Sequence, residues 1–280
     1  LLYNKDILKH NCSYIDAYLN LLIYQMKELH KSLNHTECLK YAYYARRIAR
    51  KFNIYQRYPK TIEKILFFKS ISIKHLSGMH ACMQSFKNDI NKNPNLPVLM
   101  YSYNTHKAVF FTTKDPNRAL MYFKLNEKYY SRLSMADQLH NRVNIANMLF
   151  LQKKPDSAFE HAQIIINDAL VYDVKRELGR IYNLVGNYYV YTDKRKQGIE
   201  YYKKAIKILD KISFKIDLWP ILINLSSTYI DDSDYMNAYL VLKQAIEIIE
   251  KRKEELDVNI NQTANSGAKL YIGVIVTLHN

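Results

Sequence analysis

Nine histidines, three cysteines and a scatter of asparagines are the side chains in this sequence whose chemistry could define a site. His30, His35 and Cys38 lie close together along the chain, as do His75, His80 and Cys82. Neither group has the second, spaced ligand pair expected of a zinc motif, so no metal and no cofactor is expected. Cys12, Cys38 and Cys82 cannot all pair within the chain, and they read as buried, small apolar residues. Catalytic motifs are equally scarce: there is no glycine-rich phosphate loop, no HExxH, no GxSxG and no paired-cysteine metal motif, and the reading is non-enzymatic. Asn104, Asn144, Asn147, Asn183, Asn187 and Asn224 are a different matter. An asparagine carries both a donor and an acceptor, so it can grip a peptide main chain in either direction without reading its side chains. Helix interiors otherwise disfavour it. Arg180 and His140 are suited to receiving an acidic or C-terminal group.

The elements that must position these side chains are helices. The chain has 280 residues, 48% of them hydrophobic, with six glycines and six prolines, which leaves little material for turns or bulges. Its 41 Lys and Arg against 26 Asp and Glu give a net charge of +15, a field that favours anionic partners. Residues 1 to 60 carry 11 basic and 4 acidic side chains, a net +7, whereas residues 221 to 280 carry 5 and 8, a net −3. An electrostatic partner is therefore expected to prefer the N-terminal half.

A repeat orders the chain. Laid on the sequence 40 residues later, Tyr182, Gly186, Tyr189, Gly198, Tyr202 and Ala205 fall on Leu222, Ser226, Tyr229, Ala238, Leu242 and Ala245. Stepping backward, the small position continues as Ala158, Ala119, Ala81 and Cys38. Each unit reads as a helix of about four turns, a polar turn and a second helix, with the small residue where two helices approach closely. The turns are SLNH, HLSG, TKDPN, KKPDS, TDKRK and DDSD, with Asp156 and Ser233 as candidate helix caps. KRK, Lys194 to Lys196, then occupies a solvated turn, and Tyr182, Tyr189 and Tyr202 become packing residues rather than a stacking surface for nucleic acid. Lys114, Lys153 and Lys154 occupy equivalent turns, so a basic edge over three units stays open.

The series Tyr182, Val185, Gly186, Tyr189, Gly198, Tyr202, Ala205 resembles the tetratricopeptide repeat, in a long-period form of about 40 residues. The resemblance implies an all-α, right-handed superhelical solenoid of about six helical hairpins over residues 1–256, with units near 14–52, 60–92, 98–133, 137–172, 178–212 and 217–253. It also implies a concave groove lined by first helices. Counted from seven residues before the small position of each first helix, the six asparagines fall at the fifth, sixth or ninth place, which faces that groove, with Arg180 and His140 at the second. In peptide-binding members of the family such asparagines hold ligand main chain, and the resemblance implies the same for Asn104, Asn144, Asn147, Asn183, Asn187 and Asn224.

The functional expectation is a non-catalytic scaffold for a protein or extended peptide, acidic in character, with nucleic acid disfavoured. One alternative is the sensor part of a larger, membrane-linked signalling or transcriptional regulator of bacterial type; a nucleic-acid-associated basic protein ranks third. Residues 257–280 read as a linker followed by LYIGVIVTL, Leu270 to Leu278, which is too short to span a bilayer and is expected to cap the last repeat or to begin a junction. No targeting segment is expected in the sequence, leaving cytoplasm and periplasm both open.

Overall fold

A computed structural model describes residues 12–32, 34–93, 95–212 and 217–256, so the apolar stretch Leu270 to Leu278 lies outside the described residues. Every regular element among them is helical. None is long and apolar enough to cross a membrane. Packing divides the chain into two compact units, Leu1–Leu133 and Ser134–Asn280.

The first unit holds α1 (Cys12–Lys31), α2 (His35–Lys51), α3 (Pro59–Lys92), α4 (Pro97–Phe111), α5 (Pro116–Leu125) and a 3-10 turn, Glu127–Arg132. Along α2 the buried residues are His35, Cys38, Ala42, Ala45 and Ala49, steps of three and four that keep one narrow stripe of small side chains inward. That stripe packs with Ile15, Leu19, Met26, Ile62, Ile65 and Leu66. The expected HLSG turn is instead a break inside α3, where Gly78 adopts φ 83° and ψ 176°. Only glycine reaches that region without strain, so the helix restarts there in a new register. The small inward residue of this unit is consequently Cys82, fully buried, and not Ala81, which is partly exposed. With Phe86 and Asp89 it repeats the spacing of Cys38, Ala42 and Ala45. Burial pushes the Cys82 thiol up to about 11 and raises Cys38 as well. Both thiols are therefore expected to react with a thiol reagent at least roughly tenfold more slowly in the native chain than in denaturant.

The second unit holds α6 (Met135–Leu151), α7 (Pro155–Val171), α8 (Lys175–Tyr191), α9 (Arg195–Leu209), α10 (Trp219–Asp231) and α11 (Tyr235–Leu256). These pack as successive hairpins, α6 with α7, α8 with α9 and α10 with α11, while α8 also touches α6 and α10. First helices thus lie beside one another, the arrangement that a repeat needs to bury each hairpin's open face. The inward stripes repeat at 40-residue steps: Ala158, Ala162, Ile165 and Ala169, then Gly198, Tyr202, Ala205 and Leu209, then Ala238, Leu242 and Ala245.

The turns are alike in geometry rather than in charge. Lys153, Asp193 and Ser233 all sit at φ near 60°, and the next residue's N–H, that of Lys154, Lys194 or Asp234, donates five residues back, to the carbonyl of Leu149, Tyr189 or Tyr229. This is the Schellman closure, which satisfies the last carbonyls of the first helix. A turn held by backbone alone tolerates KRK in one unit and DDSD in the next. Ser233 is therefore a left-handed turn residue, and the cap of α11 is Asp234, whose carboxylate accepts from the N–H and the side-chain amide of Asn237. Asp156 is likewise not a cap, because Lys154 occupies that position. Its carboxylate accepts from the Tyr188 hydroxyl at 3.1 Å. Side-chain caps are provided instead by Asn34, Asp115 and Ser134.

Close approach explains the two glycines of the α8–α9 hairpin. A Cβ on Gly198 would stand 2.6 Å from Val190 Cγ2 and 3.1 Å from the Gly186 carbonyl oxygen. One on Gly186 would stand 2.5 Å from Cε1 of Tyr202, a ring only 2% exposed and tethered by its hydroxyl to Asn187. Gly186→Ala is expected to lower unfolding stability by about 1–2 kcal/mol, the overpacking penalty less the gain in helix propensity, as read by urea denaturation. In the next unit Ser226 stands where Gly186 stands, and its hydroxyl donates to the Ala238 carbonyl at 3.1 Å.

Among the described tyrosines only Tyr101, Tyr122 and Tyr202 are buried; Tyr182 and Tyr189 are half-buried and pack against Tyr201 at ring separations of 5.7 and 5.3 Å. A phenol keeps its apolar ring on the core and its hydroxyl near water, which accounts for the intermediate burial.

Candidate functional site

Two hydrogen-bonded clusters lie where first helices meet in the second unit. The lower one centres on Glu177, near the start of α8 and only 3% exposed. Its Oε2 accepts from Arg180 Nη1 at 2.6 Å, and its Oε1 lies 3.1 Å from His140 Nδ1 on α6. Arg180 Nη1 also approaches His140 Nδ1 to 2.8 Å, and Arg180 Nη2 donates to Asn144 Oδ1 at 2.9 Å. His140 Nδ1 has one position for a proton: carrying it, the ring donates to Glu177; without it, the ring accepts from Arg180. Burial pushes the Glu177 carboxyl up, but His140, Arg180 and Arg176 together more than offset this and hold it below its ordinary value. Arg176, beside Glu177, is itself anchored on both oxygens of Asp217, at 2.5 and 3.1 Å.

The upper cluster is built from asparagines. Asn224 on α10 donates both hydrogens of its amide nitrogen to α8, one to Asn183 Oδ1 and one to Asn187 Oδ1, each at 3.0 Å. Asn187 Oδ1 also accepts from the buried Tyr202 hydroxyl at 2.7 Å. Asn147 on α6 is half-exposed and has no hydrogen-bond partner among the described residues.

The structure therefore brings seven of the eight sequence-chosen residues onto α6, α8 and α10. Asn104 is elsewhere, on α4 of the first unit and 6% exposed. What spacing did not reveal is that six of the seven bond to one another or to Glu177, tying each first helix to the next. Arg180 and His140 both bond to Glu177, so neither side chain is free. Glu177 was missed altogether, although it stands three residues before Arg180, one helical turn away on the same face.

The arrangement leaves a defined set of polar atoms outside this network. Asn224 Oδ1 remains as an acceptor, the amide nitrogens of Asn144, Asn183 and Asn187 remain as donors, and Asn147 keeps both functions. Since the opposite end of each bonded amide is held by a neighbouring helix, these atoms are oriented before any ligand arrives. No group in the set is a nucleophile, and the one buried carboxylate is neutralised by cations.

Residues 179–208, the greater part of the α8–α9 hairpin, match the tetratricopeptide repeat family model. Comparison with curated protein sequences gives no match. Among solved structures the chain is similar to NprR in complex with its cognate peptide NprX, at 12% identity and a TM-score of 0.65, over 97% of this chain and 78% of that one. It is similar to the apo form of RapI at 14% identity and 0.63, over 88% and 86%. TTC0263, a thermophilic TPR protein in Thermus thermophilus, aligns at 13% identity and 0.52, over 76% and 99%. At such identities the likeness is one of fold. The chain thus has an all-α helical-repeat fold similar to that of tetratricopeptide solenoids, and its α8–α9 hairpin carries the sequence signature of that repeat.

Proposed function

We propose that the chain is a non-catalytic scaffold that binds a protein or an extended peptide on the face shared by α6, α8 and α10. The observation that carries this reading is the asparagine set on three adjacent first helices, anchored from behind and left with unused donors and acceptors. An extended main chain offers alternating N–H and C=O groups, which is the chemistry these amides complement. NprR, whose fold is similar, was solved with a peptide bound. The net charge of +15 favours an acidic partner, so affinity should fall as salt rises and persist after nuclease treatment. No observation on the described residues favours the sensor or the nucleic-acid reading over this one.

Asn147 is the clean probe, because among the described residues its side chain holds no other side chain in place. A peptide selected from a random extended library on the full chain is expected to bind Asn147→Ala at least about tenfold more weakly, with the unfolding midpoint unchanged. Asn187→Ala is a poorer probe, since it also strips the buried Tyr202 hydroxyl of its acceptor. Binding by Asn147→Ala and Asn224→Ala at the wild-type level would remove this face from consideration.

A further inference from the structure

Folding assembles in the first unit a group that the local spacing of histidines did not suggest. His30 lies in the last turn of α1, His35 is the first residue of α2, and His75 is on α3, three residues before the break at Gly78. One ring nitrogen of each lies within 4.8 Å of one from each of the others. The rings of His35 and His75 stack in parallel, 3.9 Å apart and 4° from coplanar orientation, while the His30 ring is inclined to both, at 5.3 and 5.7 Å. Each of the two sequence groupings thus contributes part of the set, His30 and His35 from one and His75 from the other, and neither His80 nor the buried Cys38 and Cys82 belongs to it.

We propose that His30, His35 and His75 form a binding site for a divalent transition-metal ion of the zinc class. Three neutral imidazoles with no carboxylate favour Zn(II), Co(II), Ni(II) or Cu(II) over the oxygen-seeking Mg(II) and Ca(II). Two of the ligands are presented by a fixed scaffold. The turn between α1 and α2 is closed by the N–H of Ser32 on the Glu28 carbonyl and that of Asn34 on the Leu29 carbonyl, and Asn34 then caps α2 through the N–H of Glu37. His35 is 5% exposed and the Phe68 ring stands edge-on to His30 at 6.1 Å, so the cluster has an apolar inner side. His75 is exposed, which provides a path of entry and a place for water as the fourth ligand.

Metal–nitrogen bonds of about 2.0–2.1 Å at the tetrahedral angle require nitrogens about 3.3 Å apart, so the imidazoles must close by somewhat more than an ångström. That movement falls to side-chain rotation of the three rings, with the exposed His75 ring leaving its stack with His35. A bound ion then ties the α1–α2 hairpin to α3 immediately before the point where α3 loses its helical register. Lys31 and Lys74 adjoin two of the ligands in sequence and weaken the site for cations, in part offset by Glu28, which is paired with Lys31 at 2.8 Å.

The test uses the full chain, free of any histidine tag and stripped with chelator, titrated with Co(II) at neutral pH. One equivalent is expected to give the visible absorption of tetrahedral Co(II) and to be displaced by Zn(II). His75→Ala and His30→Ala should each weaken binding at least about tenfold, while His80→Ala, exposed and outside the cluster, should bind as wild type. Zn(II) should raise the unfolding midpoint of the wild-type chain and leave that of His75→Ala unchanged. Absence of Co(II) uptake at roughly 100 µM, or uptake undiminished in both His75→Ala and His30→Ala, would overturn the proposal and leave the cluster as aromatic packing.

Discussion

Asp89→Ala is expected to destabilise the first unit by about 3–5 kcal/mol, a large fraction of the stability of an ordinary domain. Asp89 is 1% exposed, and its carboxylate joins two cations: Arg46 Nη2 meets Oδ1 at 2.9 Å, and Lys69 Nζ pairs with Oδ2. Lys69 is itself 5% exposed. Burial pulls its ammonium below the ordinary lysine value even with Asp89 in place, since the carboxylate restores only part of the lost hydration. Removing the carboxylate leaves a buried ammonium facing a guanidinium, and the chain must either hold an uncompensated charge or open to solvate it. A triple variant that removes all three charges, Arg46→Met and Lys69→Met with Asp89→Leu, should recover most of the loss, because a buried ion cluster contributes little over apolar side chains of similar volume. Urea denaturation of the three proteins decides the matter. A single-variant loss below about 1 kcal/mol would mean that water already reaches the pair.

Glu177→Gln is expected to lower the stability of the second unit by about 2–3 kcal/mol, less than for Asp89 because Arg180 remains partly in contact with water. The substitution keeps the shape and removes the charge that holds Arg180 and His140 together. Its pH dependence follows from the depressed carboxyl. In the unfolded chain Glu177 takes up a proton at its ordinary value, and in the folded chain only at a lower pH. Its contribution is therefore complete above the ordinary carboxylate value and disappears as pH falls through the folded one. The gap between wild type and Glu177→Gln should accordingly be full near neutrality and narrow on acidification, measured as unfolding free energies over that range. A gap that widened in acid would contradict the charge pairing. Because Arg180 also holds Asn144, the same substitution should weaken peptide binding on the α6–α8–α10 face, whereas Gly186→Ala should act on stability first.

Positions fixed by packing were the ones most easily read from sequence. Gly186 and Gly198 stand where two helices cross backbone to backbone, and the 40-residue step carries the same inward stripe through Ala158, Gly198 and Ala238. Such positions are legible because helix geometry gives a local period, and a close crossing admits few residue types. The register failed at one place, Ala81 for Cys82, because a single glycine inside α3 breaks the period without the cluster of turn residues that marks the other hairpins. Tolerance of either charge sign at the turns was visible in KRK and DDSD; its cause, a backbone closure through a left-handed residue, was not.

The asparagines show where local reading stops. Their placement on one face of successive first helices was legible, since position along a helix determines face. Whether their amides faced a ligand or one another depends on the distance between α8 and its neighbours, which no single helix encodes. That distance let Asn224 reach Asn183 and Asn187, and let Arg180 reach Asn144 across 36 residues of chain. The same holds for Asp89 with Lys69 and Arg46, and for His75 with His30 and His35, groups separated by 20 to 45 residues. Sequence by itself determined an all-α repeat and its period, because self-similarity is visible in the chain, and its inward stripes and the face of α6, α8 and α10 that carries the asparagines, because both follow from the 3.6-residue turn of the helix. Only tertiary structure decided which charges are buried together, which amides are already occupied and which histidines meet, because these depend on contacts between helices whose separation along the chain carries no local signal.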